Sequence, residues 1–270
     1  MHEEYARHGV HNCGREGKMN IQWDGEQYTK AFSFVPAYGS SVMELIDFAG
    51  ADSAIDLGCG NGALTKKLQE KGLSVIGIDA SGELLAIARK HYPEIPFIQA
   101  DATAFSVEKP VDVVFSNAVF HWIEAEKQPK MLSCVFRALR PGGQFVFEFG
   151  GHGNNALIHA ALEAAFRAHG YSYRMPFYFP RIGAYGRLVE QAGFLVKSAI
   201  LFDRPTQLNG ADGLRDWIKM FIQTPFQGIP DPVEQEKIIR HVVESLKSTL
   251  YRDGVWYADY VRLRMKAVKQ

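Results

Sequence analysis

From about residue 50 to residue 150, short apolar runs alternate with stretches whose apolar positions recur every three or four residues. The runs at 53–57, 73–79, 97–100, 111–117 and 144–149 read as five strands. Between them, 63–71 reads as a helix with Leu64 and Leu68 one turn apart, stopped by Gly72. Ser81 caps a second helix that carries Leu84, Leu85 and Ala88, and Pro129 opens a third that runs to Leu139. Arg140-Pro141-Gly142-Gly143 ends that helix. Before this region, Ser40 and Ser41 are expected to cap a helix carrying Val42, Leu45 and Ile46 and ending near Gly50. The strands are apolar on both faces, as buried parallel strands are. The repeated alternation predicts a doubly wound, Rossmann-like α/β sheet with right-handed connections.

Beyond Gly150 the rhythm changes. Residues 155–169 and 183–191 read as helices, and the aromatic, proline-containing stretch 171–180 between them as a loop. A sixth strand is expected at 194–202, then helices at 212–221 and 232–250, the last with Asp231 as cap and Pro232 in its first turn. Residues 255–268 read as one final strand. Val261, Leu263, Met265 and Ala267 alternate there with Arg262, Arg264 and Lys266, which suits an outer strand with one solvated face. No internal repeat or low-complexity linker interrupts the chain. The expected organisation is a loose leader over 1–18 and one domain over 19–270. That domain comprises an N-terminal helical lid (19–50), a cofactor-binding core (51–150), substrate-side helices with the sixth strand (151–250) and the last strand (251–270).

Composition narrows the function classes. Lys+Arg and Asp+Glu each number 30 in 270 residues, so the balanced charge argues against a nucleic-acid partner. No apolar run approaches the roughly 18 residues of a membrane span. Residues 1–18 are too polar for a secretory signal. Cys13, Cys59 and Cys134 lie far apart without metal-ligand spacing, so neither a metal site nor a disulfide framework is expected. A reducing, cytoplasmic compartment follows. Oligomeric state leaves no sequence signal.

The strongest chemical signal is Asp56-Leu57-Gly58-Cys59-Gly60-Asn61-Gly62, set between the first strand and its helix. Glycines let the backbone turn sharply and approach a ligand closely. Asp79 ends the next strand about 20 residues beyond Gly58, where an acidic group meets ribose hydroxyls. Taken alone, this much suits a nicotinamide enzyme as well as an S-adenosylmethionine enzyme, because Gly58-x-Gly60-x-x-Ala63 also satisfies the dinucleotide pattern. Four details favour the second. Asp56 suits a ligand amino group and not a pyrophosphate. Asp101 ends the third strand, Ser116-Asn117-Ala118 ends the fourth, and Arg140-Pro141-Gly142-Gly143 is no part of the nicotinamide pattern.

Together these residues resemble the class I S-adenosylmethionine-dependent methyltransferases, most specifically over 54–149. The resemblance implies a seven-stranded sheet with an antiparallel last strand and S-adenosyl-L-methionine as cofactor. It implies that Asp56, Gly58, Cys59, Gly60, Asn61 and Gly62 hold the methionine part, Asp79 and Ala80 the ribose, and Asp101 and Ala102 the adenine, with Asn117, Ala118 and Trp122 also at the cofactor. Cys59 contributes size and backbone, not thiol chemistry. Tyr28 is the best candidate for a lid aromatic near the sulfonium, ahead of Phe34 and Tyr38. Ser116-Asn117-Ala118 followed by His121-Trp122, and later Trp217, place the likeness nearest trans-aconitate and malonyl-carrier-protein methyltransferases. The expected reaction is O-methylation of a small-molecule or carrier-bound carboxylate, with Arg174, Tyr178 and Arg181 of the aromatic loop, beside Tyr173, as substrate residues. A carboxylate needs no base; a hydroxyl or amine would, and His121 is then the candidate, with His152 a weaker one for contact. The stretch Asn117-Ala118-Val119-Phe120 lacks the Asn-Pro-Pro-Tyr motif of amide and adenine N-methyltransferases. A nicotinamide-dependent oxidoreductase and a non-catalytic cofactor-binding protein remain as alternatives.

Overall fold

The apolar runs become the middle of a seven-stranded sheet in the computed structural model, which describes residues 9–12 and 34–270, the side chains of 12 and 34–38 excepted. Strands β2 (Ser53–Leu57), β3 (Ser74–Asp79), β4 (Phe97–Gln99), β6 (Val111–Asn117) and β7 (Leu139–Gly150) are parallel. The sheet order is β4-β3-β2-β6-β7-β12-β8, with β12 (Val261–Lys269) antiparallel to both β7 and β8 (Phe194–Asp203). The chain winds outward from β2 to β4 and then returns to β6. The order therefore reverses between β2 and β6, and a crevice opens there beyond the carboxyl ends of the strands.

Helices cover both faces because each carries one apolar stripe. On one face α1 (Phe34–Met43) and α2 (Ala63–Glu70) bury Val42, Leu64 and Leu68 against Val113, Phe115 and Val146. On the other, α4 (Gln128–Ala138) and α6 (Ile182–Gln191) pack on Phe120, Phe145, Phe147 and Phe149. The helix α3 (Gly82–His91) starts at Ser81, whose hydroxyl accepts the N–H of Leu84 at 3.2 Å. A separate apolar core joins α5 (Ala156–Ala168), α7 (Gly213–Phe221), α8 (Gln223–Phe226) and α9 (Pro232–Leu250), centred on Trp217, Ile218, Ile238 and Val242. These helices form a cap over the carboxyl edge.

Several elements depart from the sequence expectations. Val10–Asn12 (β1), inside the segment expected to be a loose leader, pairs antiparallel with β5 (Phe105–Val107) and fully buries Val10. Ser40 and Ser41 lie within α1, not at its start; their hydroxyls accept from Lys67 at 2.7 Å and Arg264 at 2.8 Å, so tertiary bonds replace the cap. The Arg140-Pro141-Gly142-Gly143 turn is an excursion inside β7. Arg140 donates there to Asp112, which also accepts from Ser53, so the turn braces the amino ends of the strands, remote from the crevice.

The expected single last strand is two. Tyr251–Arg252 (β10), Val255–Ala258 (β11) and Thr206–Gln207 (β9) make a small sheet, and β12 follows. Nor is β12 an outer strand: β8 holds the edge. The row of Arg262, Arg264 and Lys266 is consequently not a solvated face. Arg262 is only 5% exposed. Arg264 stands opposite Glu148 of β7 and bonds it at 2.7 Å, while Arg204 bonds the other carboxylate oxygen at 2.7 Å. Glu148 is buried, and among the described residues these two guanidinium groups are its ion-pair partners.

Among the described residues no helix is long and apolar enough to cross a membrane, and no cluster of metal-ligating side chains occurs. The Glu148 network sets a stability test. Glu148→Ala leaves two half-buried cations without their carboxylate and should cost about 3–5 kcal/mol in urea unfolding. A loss below about 1 kcal/mol would show that solvent already screens the network.

Candidate active site

The turn after β2 uses its three glycines in different ways. All three have positive φ: 79° at Gly58, 54° at Gly60 and 81° at Gly62. A Cβ at Gly58 would lie 2.1 Å from Val119, and one at Gly62 would lie 2.7 Å from Phe97, so both also permit close packing. Gly60 faces open space, with nothing nearer than Leu84 at 3.9 Å. Gly58 and Cys59 donate their N–H groups to the Ile78 carbonyl at 2.7 and 3.1 Å, which pins the turn to β3. Asn61 closes the start of α2, its Oδ1 accepting from the Ala63 N–H at 3.3 Å. Cys59 is buried and its thiol is pushed well above the ordinary range, chiefly by burial.

Two carboxylates flank this turn. Asp56 is 1% exposed and accepts from the Thr65 hydroxyl at 2.6 Å. Burial pushes its pKa up to about 7, with Asp79 adding to the rise and the Thr65 bond opposing it. Sequence reading missed Thr65; its signal is a hydroxyl in the first turn of the helix that follows the glycines. Asp79 accepts from the Gly60 and Ser81 N–H groups, both at 2.8 Å. Burial raises its pKa too, against those bonds. Asp79 therefore shapes the turn as well as ending β3. Along the same edge Ala80 is exposed, Ala102 is half-buried, and Asp101 accepts from the Thr103 N–H and hydroxyl at 2.7 and 2.8 Å.

At the end of β6, Asn117 is buried, and Ala118 adopts φ 63° with its N–H on the Glu148 carbonyl at 2.7 Å. A left-handed alanine is a strained backbone held by its surroundings. The next residue, Val119, is the one that meets Gly58. His121 and Trp122 follow in a short 3₁₀ turn.

Ala118 lines a solvent-connected cavity of about 50 Å³ between the sheet edge and the cap. Its walls are the rings of Trp122, Phe177, Phe179, Trp217, Phe221 and Tyr260. Its polar groups are His121, Asn154, Asn155 and Arg262. The Arg262 guanidinium lies 4.3 Å from the centre of the Tyr260 ring, and the Tyr260 hydroxyl accepts from Trp217 Nε1 at 2.8 Å. Asn154 Oδ1 accepts from the Val261 N–H at 2.9 Å. Asn155, at φ 54°, has a buried Oδ1 with no hydrogen-bond partner.

His121 Nδ1 accepts the Gly150 N–H at 3.3 Å. A backbone N–H can only donate, so the neutral ring carries its proton on Nε2. Burial holds the pKa well below the ordinary value, and Arg262 adds to this. His121 is thus built as a neutral donor, not as a base.

The expected substrate residues are not gathered here. Arg174 and Arg181 are exposed and do not line the cavity. The aromatic loop sends in Phe177 and Phe179 instead. Tyr178 packs toward Tyr185 at 6.3 Å, and the Tyr173 hydroxyl pairs with His159 Nδ1 at 2.6 Å. His152 is exposed. The buried arginine of the cavity is Arg262, hidden from sequence reading because its alternation with apolar residues looks solvated. Tyr28 lies outside the described residues, as do the side chains of Phe34 and Tyr38.

A family model described as a methyltransferase domain matches residues 54–143. An uncharacterized methyltransferase of Schizosaccharomyces pombe is 33% identical over 260 residues, covering 92% of this chain and 98% of its own. A trans-aconitate 2-methyltransferase of Deinococcus radiodurans is 26% identical over 255 residues, 88% of this chain and 95% of its own. Among solved structures, a Bacillus halodurans protein assigned as a methyltransferase aligns with TM-score 0.60 at 16% identity, over 86% of this chain and 99% of its own. A Haemonchus contortus phosphoethanolamine N-methyltransferase, solved with S-adenosylhomocysteine, aligns with TM-score 0.54 at 19% identity, over 86% of this chain and 52% of its own.

The Asp56 environment sets a pH test. Its pKa is raised in the folded chain, so its contribution to stability is present below about pH 4 and lost as pH rises through about 7. A ligand ammonium pairs only with the ionised form. Affinity for S-adenosylhomocysteine should therefore rise with pH up to about 7, changing about tenfold per unit below it. Calorimetry across pH 5.5–8 reads this, and Asp56→Asn should weaken binding and flatten the profile. A flat profile in the native protein would refute the pairing.

Proposed function

This chain belongs to the class I S-adenosylmethionine-dependent methyltransferases, and we propose that it methylates a carboxylate oxygen of a small molecule. Its cofactor is S-adenosyl-L-methionine. The carrying observation is the buried Arg262 guanidinium in the cavity that Ala118 lines at the end of β6. A planar cation with several fixed N–H groups matches a carboxylate better than any neutral acceptor. The similarity to trans-aconitate 2-methyltransferases supports the same acceptor class.

The residues around the turn fit the cofactor. Asp56 is a buried carboxylate that a ligand ammonium would pair with, and a Cβ at Gly60 would meet only Leu84, at 3.9 Å, among the described residues. In this reading Asp56 takes the amino group, Asp79 the ribose hydroxyls, and Asp101 and Ala102 border the adenine. Asn117, Ala118 and Trp122 stand where the two ligands meet. When bound, S-adenosylmethionine supplies a methyl group on a positively charged sulfur. Arg262 and the His121 Nε2–H orient the acceptor carboxylate, and the aromatic walls exclude water. With the cofactor bound, the methyl group would pass to a carboxylate oxygen held by these residues, and the carbon–sulfur electron pair would stay on sulfur. The products are a methyl ester and S-adenosylhomocysteine, and no proton moves. A carboxylate of pKa about 4 is already ionised at neutral pH, so no base is needed. Fixed alignment of acceptor and methyl supplies much of the rate gain.

The test is turnover of a carboxylic-acid panel, read as methyl ester by mass spectrometry. Arg262→Met should lower kcat/KM for an accepted acid by about 10–100-fold. With S-adenosylmethionine saturating, so that Asp56 titration no longer acts through cofactor affinity, kcat should show no limb from His121, which stays neutral. Turnover of an amine or hydroxyl with no acid accepted would defeat the reading.

A further inference from the structure

We infer that the acceptor is a monocarboxylic acid with a flat, apolar body, and not a di- or tricarboxylate; this rests on the carboxylate reading of the same cavity. Among the described residues Arg262 is the only arginine or lysine that lines the cavity. Arg174 and Arg181 are exposed elsewhere, and Arg204 and Arg264 are committed to Glu148. His121 lines the cavity but is held neutral by its surroundings. One guanidinium and one neutral N–H donor suffice to orient one carboxylate.

What surrounds the rest of the acceptor is unsuited to further charge. Trp122, Phe177, Trp217 and Phe221 present aromatic surface there. Ring faces are the negative part of the aromatic quadrupole, so they attract flat apolar groups and disfavour anions. An ionised carboxyl set among them would lose its hydration without gaining a second cation, since Arg262 is the one arginine or lysine of the described residues in the lining. The anchored carboxylate is also the reacting one, since Arg262 and Ala118 line the same cavity. The body of the acid then extends among the rings.

The inference separates this chain from its trans-aconitate-methylating relatives in substrate, since trans-aconitate is a tricarboxylate. Steady-state kinetics with cinnamate as the flat monoacid and trans-aconitate as the polyacid decides it. The native protein should give a kcat/KM for cinnamate at least about tenfold above that for trans-aconitate. Equal or higher turnover of trans-aconitate would overturn the inference while leaving the carboxylate reading intact. If neither these nor other carboxylic acids are methylated, both fall together. Phe221→Arg, which adds a second cation to the wall, should shift the ratio toward trans-aconitate by about tenfold or more. Unchanged S-adenosylhomocysteine binding would certify that variant as folded; a folded variant with no shift would also overturn the inference. Should it not fold, the native ratio stands as the deciding measurement.

Discussion

The insertion of β12 between β7 and β8 is the constraint on which the functional half of this molecule depends. Two antiparallel ladders hold the strand, and the register sets Arg264 opposite Glu148 and Arg262 opposite Gly150. The first pairing neutralises a buried carboxylate. The second places a guanidinium where the facing residue has no side chain, and a Cβ at Gly150 would strike Phe179 at 2.5 Å. Glu148 joins these events to the cofactor edge, because its carbonyl holds the Ala118 N–H. The same residue thus anchors β12 through its side chain and shapes the end of β6 through its backbone. Buried ion pairs contribute little net stability, but losing one partner is costly. Such a pair is better suited to fixing a register than to strengthening a fold.

The site divides between two environments. On the sheet side, polar groups are turned inward on short loops: Asp56 on Thr65, Asp79 on the turn that it serves. Burial, with Asp79 nearby, raises the Asp56 pKa to about 7, against the Thr65 bond. On the cap side, the walls are rings carried by α7, the aromatic loop and the segment before β12. A low-dielectric chamber strengthens each remaining polar contact. Arg262 and His121 thereby count for more than their number suggests.

The cap has its own apolar core, distinct from those of the sheet. The family match falls on the sheet side of that separation. The model of the methyltransferase domain covers 54–143, the sheet half that holds the glycine turn, and stops before the cap. The match thus rests on about a third of the chain, the part that carries the glycine turn.

Sequence alone determined the parallel core, its helices and the cofactor edge, because those features are local. Strand period, glycine spacing and the carboxylates at strand ends are all written within a few residues of one another, and Asp56, Gly60 and Asp79 do converge on one turn. Tertiary structure alone decided what the arginines do. Alternation along 261–268 cannot tell a face covered by cap helices from one facing water, so Arg262 looked solvated and Arg174 and Arg181 looked equally eligible. Only packing between distant segments exposes the last two and buries the first beside Tyr260. The direction of the His121 proton is likewise set from afar, by the backbone N–H of Gly150 on another strand. Local pattern specifies elements and turns; which charge is enclosed depends on contacts whose partners lie a hundred residues away.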